Sequence, residues 1–159
     1  MAIDLAPWSA LLGGAIGIAG TYFGGRRLRL EEEVRRAGAE LLAACDAMWS
    51  ADTVFLIAVQ SDAYAQQNES LSPDERAACA AALDKAREDY NAANRRARSV
   101  RDQILLLSKR LEGPAERVYE TAKSRTGREG RSPLPSPEEE AARADVRRAF
   151  VKAARSRLL

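Results

Sequence analysis

The chain has 159 residues, with 25 basic and 23 acidic side chains, a formal charge of +2, no histidine and two cysteines. That charge is too small to imply nucleic-acid binding, and the missing histidine removes the commonest general base and metal ligand. Cys45 and Cys79 are too few and too far apart for a zinc site.

Ala, Arg, Glu and Leu dominate the composition and β-branched runs are few, so an all-α protein is expected. Residues 1–25 read as a transmembrane anchor. Leu5 to Gly25 run for 21 positions without a charge, about what a bilayer requires, and end against Arg26, Arg27 and Arg29. A cleaved signal peptide would begin with positive charge, whereas this sequence opens Met1-Ala2-Ile3-Asp4 and places its basic cluster after the apolar stretch. Arg26, Arg27, Arg29, Arg35 and Arg36 predict a single-pass cell-membrane protein, N-terminus outside and C-terminal region cytoplasmic, where both cysteines stay reduced and are expected to be small buried packing residues. Trp8 and Tyr22, about 21 Å apart on a helical rise, mark the two interfaces. The competing reading, a buried helix of a soluble domain, is disfavoured by the six glycines from Gly13 to Gly25.

Within this stretch Ala10, Gly13, Gly17, Gly20 and Gly24 recur at spacings of 3 and 4 and form one stripe of small residues. Two small-xxx-small motifs in register predict close helix pairing, with a second copy or with another membrane helix.

Residues 26–112 read as a cytoplasmic antiparallel helical hairpin of coiled-coil character. Leu30, Val34, Ala37, Leu41, Ala44, Met48, Ala51, Phe55 and Ala58 repeat at 4 and 3 along a helix from about Arg26 to Gln67. Asn68 to Pro73 supply the turn, with Ser72 as N-cap, Pro73 at the first helical position and Glu75 closing a capping box. A second seam follows through Cys79, Leu83, Ala86, Tyr90, Ala93, Ala97, Val100, Ile104, Leu107 and Leu111. Arms of about 40 residues are about 60 Å long and return the chain to the membrane surface near Leu111. Asp52 and Asp62, on or beside the first seam, are expected to pair with arginines of the return arm.

Residues 113–136 read as a basic helical extension broken at Gly113-Pro114, resuming from Ala115 to Arg125 and ending in a linker. Residues 137–159 read as a short amphipathic basic helix: Ser136-Pro137-Glu138-Glu139 repeats the cap grammar, and Ala142, Val146, Ala149, Phe150 and Ala153 share a face opposite Arg147, Arg148, Lys152, Arg155 and Arg157. Docking on the hairpin, lying on the membrane and holding a partner are the roles open to it.

Charge divides the chain along its length: Glu69 to Asn94 sums to −3 and Arg95 to Arg131 to +6. The hairpin tip is acidic and its base basic, so Lys109, Arg110, Lys123 and Arg125 join Arg26, Arg27, Arg29, Arg35 and Arg36 as candidate contacts to anionic lipid headgroups, against an ordinary solvated Arg-rich face.

No catalytic constellation accompanies this architecture. The chain has no Gly-rich phosphate loop after a strand, and the runs Glu31-Glu32-Glu33 and Glu138-Glu139-Glu140 complement helix N-termini. No enzyme activity, catalytic residue, cofactor, metal or small-molecule substrate is expected. The segment opening Trp8-Ser9-Ala10-Leu11-Leu12-Gly13-Gly14 and closing on Arg26-Arg27 before a charged helix resembles small membrane-anchored helical proteins of actinobacteria. Some of these are similar to KilB-type membrane proteins linked to plasmid spread between Streptomyces hyphae, and others are encoded by prophages. The resemblance covers the architecture of about the first third and implies a mobile-element setting without site residues. The expected function is therefore a membrane-anchored interaction or scaffold protein, a homo-oligomer or the holder of a protein partner. The alternatives are a holin-like or phage-exclusion protein that perturbs the membrane through its glycine stripe, and a charge-driven nucleic-acid binder, which interleaved acids and scarce aromatics argue against.

Overall fold

The computed structural model describes residues 6–123 and 134–156, with side chains from Gly25 onward. All its regular elements are helices: α1 (Ala6–Gln67), α2 (Pro73–Leu107), a 3-10 turn at Lys109–Leu111, α3 (Glu112–Lys123) and α4 (Pro137–Arg155). The glycine-rich stretch is thus continuous with the charged helix that follows it, in one helix of 62 residues about 93 Å long.

The turn after α1 forms through local hydrogen bonds. Asn68 Oδ1 accepts from the Ser70 backbone N–H at 3.1 Å and from the Ser70 hydroxyl at 2.7 Å. The Ser72 backbone N–H donates to Glu75 Oε2 at 2.8 Å, while Glu75 N–H donates to Ser72 Oγ at 3.2 Å, so each satisfies a donor that a helix start leaves open. Ser136 and Glu139 make the same reciprocal pair at the start of α4.

α1 and α2 share the most extensive interface of the chain. Val34, Ala37, Leu41, Ala44 and Met48 of the first seam are buried with Tyr90, Ala97, Val100 and Ile104 of the second, and Phe55 stacks on Tyr90 with ring centroids 6.1 Å apart. The first seam thins at both ends: Leu30 is exposed, and Phe55 and Ala58 are half-buried. Cys45 is buried as expected, whereas Cys79 is only half-buried near the turn, where fewer helices cover it.

Helix α2 ends at Ser108 rather than at Gly113-Pro114. Ser108 is extended, with φ −157° and ψ 97°, and its N–H still donates to Ile104 O at 2.8 Å. Leu111 N–H then closes the 3-10 turn on Ser108 O at 2.9 Å. Gly113 and Pro114 fall in the first turn of α3, where a missing N–H breaks no helical hydrogen bond. The break turns the chain back, so Leu111, Ala115, Val118, Tyr119 and Ala122 are buried in the same core as the α1 and α2 seams. Arg101 of α2 pairs with Glu116 at 3.3 Å, and Tyr119 OH donates to Asn94 Oδ1 at 2.9 Å, so α3 retraces α2 toward the turn.

Helix α4 docks on the others, contacting α1 and α3. Its buried anchor is Phe150, 2% exposed, supported by Val146, Ala153 and Ala154. Ala142 and Ala149, expected on that face, are exposed: the docking stripe runs along Val146, Phe150 and Ala153–Ala154 instead. Gly38 receives the Phe150 ring, whose Cε1 lies 3.4 Å from where a Cβ would sit.

By length and composition α1 is apolar enough to cross a membrane. Within Gly25–Gln67 the stretch that meets this measure is one-third buried and belongs to the part that packs on α2, α3 and α4, with Asp52 fully enclosed in it. The anchor expected from Leu5 to Gly25 lies upstream, where side chains are outside the described residues.

Candidate interaction surface

The expected site residues fall into three places. Ala10, Gly13, Gly17, Gly20 and Gly24 lie on α1, with their surroundings outside the described residues. Arg26, Arg27, Arg29, Arg35 and Arg36 are exposed on α1, the first three ahead of the first buried core residue, Val34, and the last two just after it. Arg27 Nε donates to Glu31 Oε1 at 3.2 Å, and Arg36 lies 3.9 Å from Glu32, so the glutamate run partly neutralises the cluster along one helix. Lys109 and Arg110 are exposed in the 3-10 turn. Lys123 is exposed at the end of α3 with its Nζ 5.9 Å from the Tyr119 ring, and Arg125 lies outside the described residues. Because α3 retraces α2, Lys123 is carried away from Arg110, and the basic segment does not approach the start of α1 progressively, as an uninterrupted return arm would have it.

Instead, the cations concentrate where α4 is seated. Asp46 of α1 accepts from both Arg143 and Arg147 of α4, and the Arg143 guanidinium lies 4.8 Å from the centre of the Trp49 ring. Sequence reading missed this fork, because 97 and 101 residues separate its partners and no local pattern links them. Asp62, expected to meet an arginine of the return arm, accepts from Gln66 Nε2 on its own helix at 2.7 Å. Asp52 is fully buried.

Two grooves flank α4. The first, about 560 Å³, lies between α1 and α4, with Leu30, Val34, Gly38, Leu42, Phe150 and Ala154 among its lining and Arg27, Glu31, Arg35 and Arg155 bringing charge. The second, about 880 Å³, runs beside Leu42 along Arg143, Arg147, Arg148 and Lys152. Leu42, Val151 and Arg155 line both. Together the grooves carry seven basic side chains and two acidic ones. Among the described residues, Arg35, Lys152 and Arg155 have no acidic partner within ion-pair distance. Two sizeable, partly apolar grooves of this kind can hold an amphiphile or a protein segment.

The titratable groups of the bundle serve its packing. Burial, with Asp46 alongside, pushes the Cys45 thiol up to about 12, which leaves it unreactive at neutral pH. Arg101 is held more firmly protonated by its hydrogen bond to Asp102, and burial raises Tyr119, whose ring lies 4.7 Å from the Arg101 guanidinium carbon. Among the described residues no three His, Cys, Asp or Glu side chains converge as a metal site would require. No family model, curated protein or solved structure matches the chain.

Proposed function

We propose that the chain is a single-pass membrane-anchored scaffold: Leu5 to Gly25 span the bilayer, and an antiparallel helical hairpin with α3 and α4 packed against it forms a cytoplasmic interaction module. The observation that carries this reading is the unbroken helix α1, which joins an uncharged stretch to a packed body without a linker. With Phe55 facing Tyr90, an antiparallel register puts Met48 opposite Ala97 and Leu41 opposite Ile104, so the two seams coincide turn for turn. In that register Ala78 stands opposite Gln67 and Leu107 opposite Gly38, so α2 reaches back to about residue 38 of α1. Arg26 to Glu33 precede the first buried residue, Val34, and in this reading the charged segment, about 12 Å long, lies at the depth where anionic headgroups attract arginine.

Self-association through Ala10, Gly13, Gly17, Gly20 and Gly24, and a protein partner on the exposed apolar side chains Val54, Ile57, Val59 and Leu106, complete the proposed role. A plasmid or prophage is the setting we propose for it. Labelling with a membrane-impermeant maleimide tests the topology. Half-buried Cys79 is the reporter and buried Cys45 the control for burial. The proposal expects Cys79 to react only after permeabilisation, and Cys45 only after denaturation. Reaction of Cys79 in intact cells reverses the orientation. Gly17→Leu with Gly20→Leu is expected to reduce crosslinked dimer in membranes and to leave membrane potential unchanged. A wild-type chain that collapses the potential on induction, and loses that effect in the double variant, would replace the scaffold with a membrane-perturbing protein.

A further inference from the structure

Helix α1 carries a third stripe that the packing of the chain leaves open. Ala47, Ser50, Val54, Ile57, Ser61 and Tyr64 recur at spacings of 3 and 4 and are all exposed, Val54 by 56%, Ile57 by 46% and Tyr64 by 65%. Its setting is uncharged. Of the 22 positions from Ala47 to Asn68, in a chain with 30% charged residues, only Asp52 and Asp62 carry charge, and both are buried. The other arm, α2, carries 13 charged side chains in 35 residues, so the gap is a property of α1 and not of the hairpin as a whole. Two polar groups on the stripe are answered locally: Ser50 Oγ donates to Asp46 O at 3.0 Å, and Asn68 Nδ2 donates to Tyr64 OH at 3.0 Å. With these bonds made, covering the two side chains costs little. Beside Ile57 and Tyr64 a groove opens toward α2, where Leu71, Ala78 and Cys79 line it; Glu75, the charge on its lining, is held by Ser72.

A symmetric contact sets a surface against itself and any charge on its axis against its like, so an uncharged stripe is what a pair of identical chains requires. Below Ala47 the same spacing runs on through Ala43, Glu40, Arg36, Glu33 and Arg29, where pairing would be repulsive, so the stripe ends where the charges begin. Orientation follows from single-pass anchoring, on which this inference rests: copies in one bilayer are parallel, and each holds Val54 at the same height, about 44 Å beyond Gly25. Another protein would have to bring a matching uncharged helix to that height, whereas a second copy does so by construction. We propose that this stripe is the contact for a second copy of the chain: two α1 helices of one bilayer lie parallel and in register from Ala47 to Tyr64, with Val54, Ile57 and Tyr64 each facing its own counterpart. This narrows the protein partner placed above on Val54 and Ile57 to the chain itself. The contact is small. It spans about 26 Å, and a helix about 10 Å wide gives about 260 Å² per copy, about a third of what a stable interface buries on each partner. Confinement in the bilayer supplies the difference, as a tether does by raising effective concentration.

The test uses the full-length chain in membranes of an expression host, with Cys79→Ser removing the accessible thiol and buried Cys45 left in place. Val54→Cys and Ser61→Cys put a thiol on the stripe. Val59→Cys and Leu106→Cys are the controls, at positions 39% and 89% exposed; Val59, two residues from Ile57, points away from the stripe, and Leu106 is on α2. Each is oxidised with copper phenanthroline and resolved on a non-reducing gel. The stripe variants are expected to form a dimer of the 17.3 kDa chain at least tenfold faster than the controls. Random collision would instead follow exposure and favour Leu106→Cys, so equal rates, or a faster Leu106→Cys, overturn the proposal. Ile57→Lys added to Val54→Cys sets like charges on the axis. It is expected to lower the dimer at least tenfold while circular dichroism of the purified chain stays unchanged. An undiminished dimer, or an adduct of any other mass in its place, overturns the proposal. Alkaline extraction of the same membranes reports on the anchor separately. A chain that is extracted refutes the anchor, whereas a chain that stays in the membrane but forms no dimer through Val54→Cys refutes the stripe contact alone.

Discussion

Replacing Phe150 by alanine should detach α4 while leaving the α1–α2 pair folded. Phe150 is the one buried residue of α4, 2% exposed; Val146, Ala153 and Ala154 are only partly covered. Truncating a buried Phe costs about 3–5 kcal/mol. The polar contacts are weaker: in the Asp46 fork the carboxylate is 39% exposed and Arg147 37% exposed, so the fork contributes about 1 kcal/mol. The Arg143–Trp49 contact adds about 0.5–1 kcal/mol. Phe150→Ala therefore removes more than these polar contacts supply, and opening of α4 should increase by about two to four powers of ten, against about fivefold for Asp46→Asn. Amide hydrogen exchange on the full chain reads this directly. Amides of Pro137–Arg155 should lose protection, whereas those beside Met48 and Ala97 keep theirs. If α4 exchange is unchanged in Phe150→Ala, or if Asp46→Asn has the larger effect, the assignment of the docking energy to Phe150 is wrong.

Gly38→Ala should raise stability by about 0.5–1 kcal/mol, the helix propensity gained, because the new methyl meets the Phe150 ring at ordinary contact distance; chemical denaturation measures it. At pH 8 the native chain should expose one titratable thiol, Cys79, and two after denaturation; since Cys45 is buried and held near 12, only about one thiol in a thousand is ionised even at pH 9, and it should stay unlabelled in the native chain at pH 7 and pH 9 alike. The Ser72 backbone N–H and hydroxyl hold Glu75 below the ordinary carboxylate range. Its stabilising effect is thus complete above the unfolded-state value and fades as pH falls through the folded one. In Ser72→Ala the Glu75 titration followed by NMR should move back up toward that range, and the start of α2 should fray less sharply with acid.

What the sequence discloses about this fold is what short-range periodicity encodes. The middle of both seams and both Ser-Pro-x-Glu caps are found where spacing put them, because each depends on residues within one or two turns of one another. The end of α2 was hidden: the seam continues through Leu107 to Leu111 with no glycine or proline at Ser108, and only the burial of Leu111, Ala115 and Val118 against the other helices turns the chain there. Gly113-Pro114 misled for the opposite reason, since a breaker of helix interiors is harmless in a first turn. The docking stripe of α4 was read too broadly because alanine suits both a buried face and an exposed one; Ala142 and Ala149 are exposed and Ala153 is partly covered. The grooves were out of reach, being made by residues more than 100 positions apart that meet only after α4 docks.

Helix α1 also has a mechanical side. Between Gly25 and Gln67 it contains no proline and a single glycine, Gly38, which the Phe150 ring covers. A rod of this kind, about 63 Å from Gly25 to its far end, works as a lever: tilting its base by about 10° sweeps the acidic tip through about 11 Å. Crowding, thinning or curvature of whatever surrounds the base would then be registered as displacement at the other end. On the membrane anchoring proposed above, a partner at the tip would respond to strain in the bilayer without touching it.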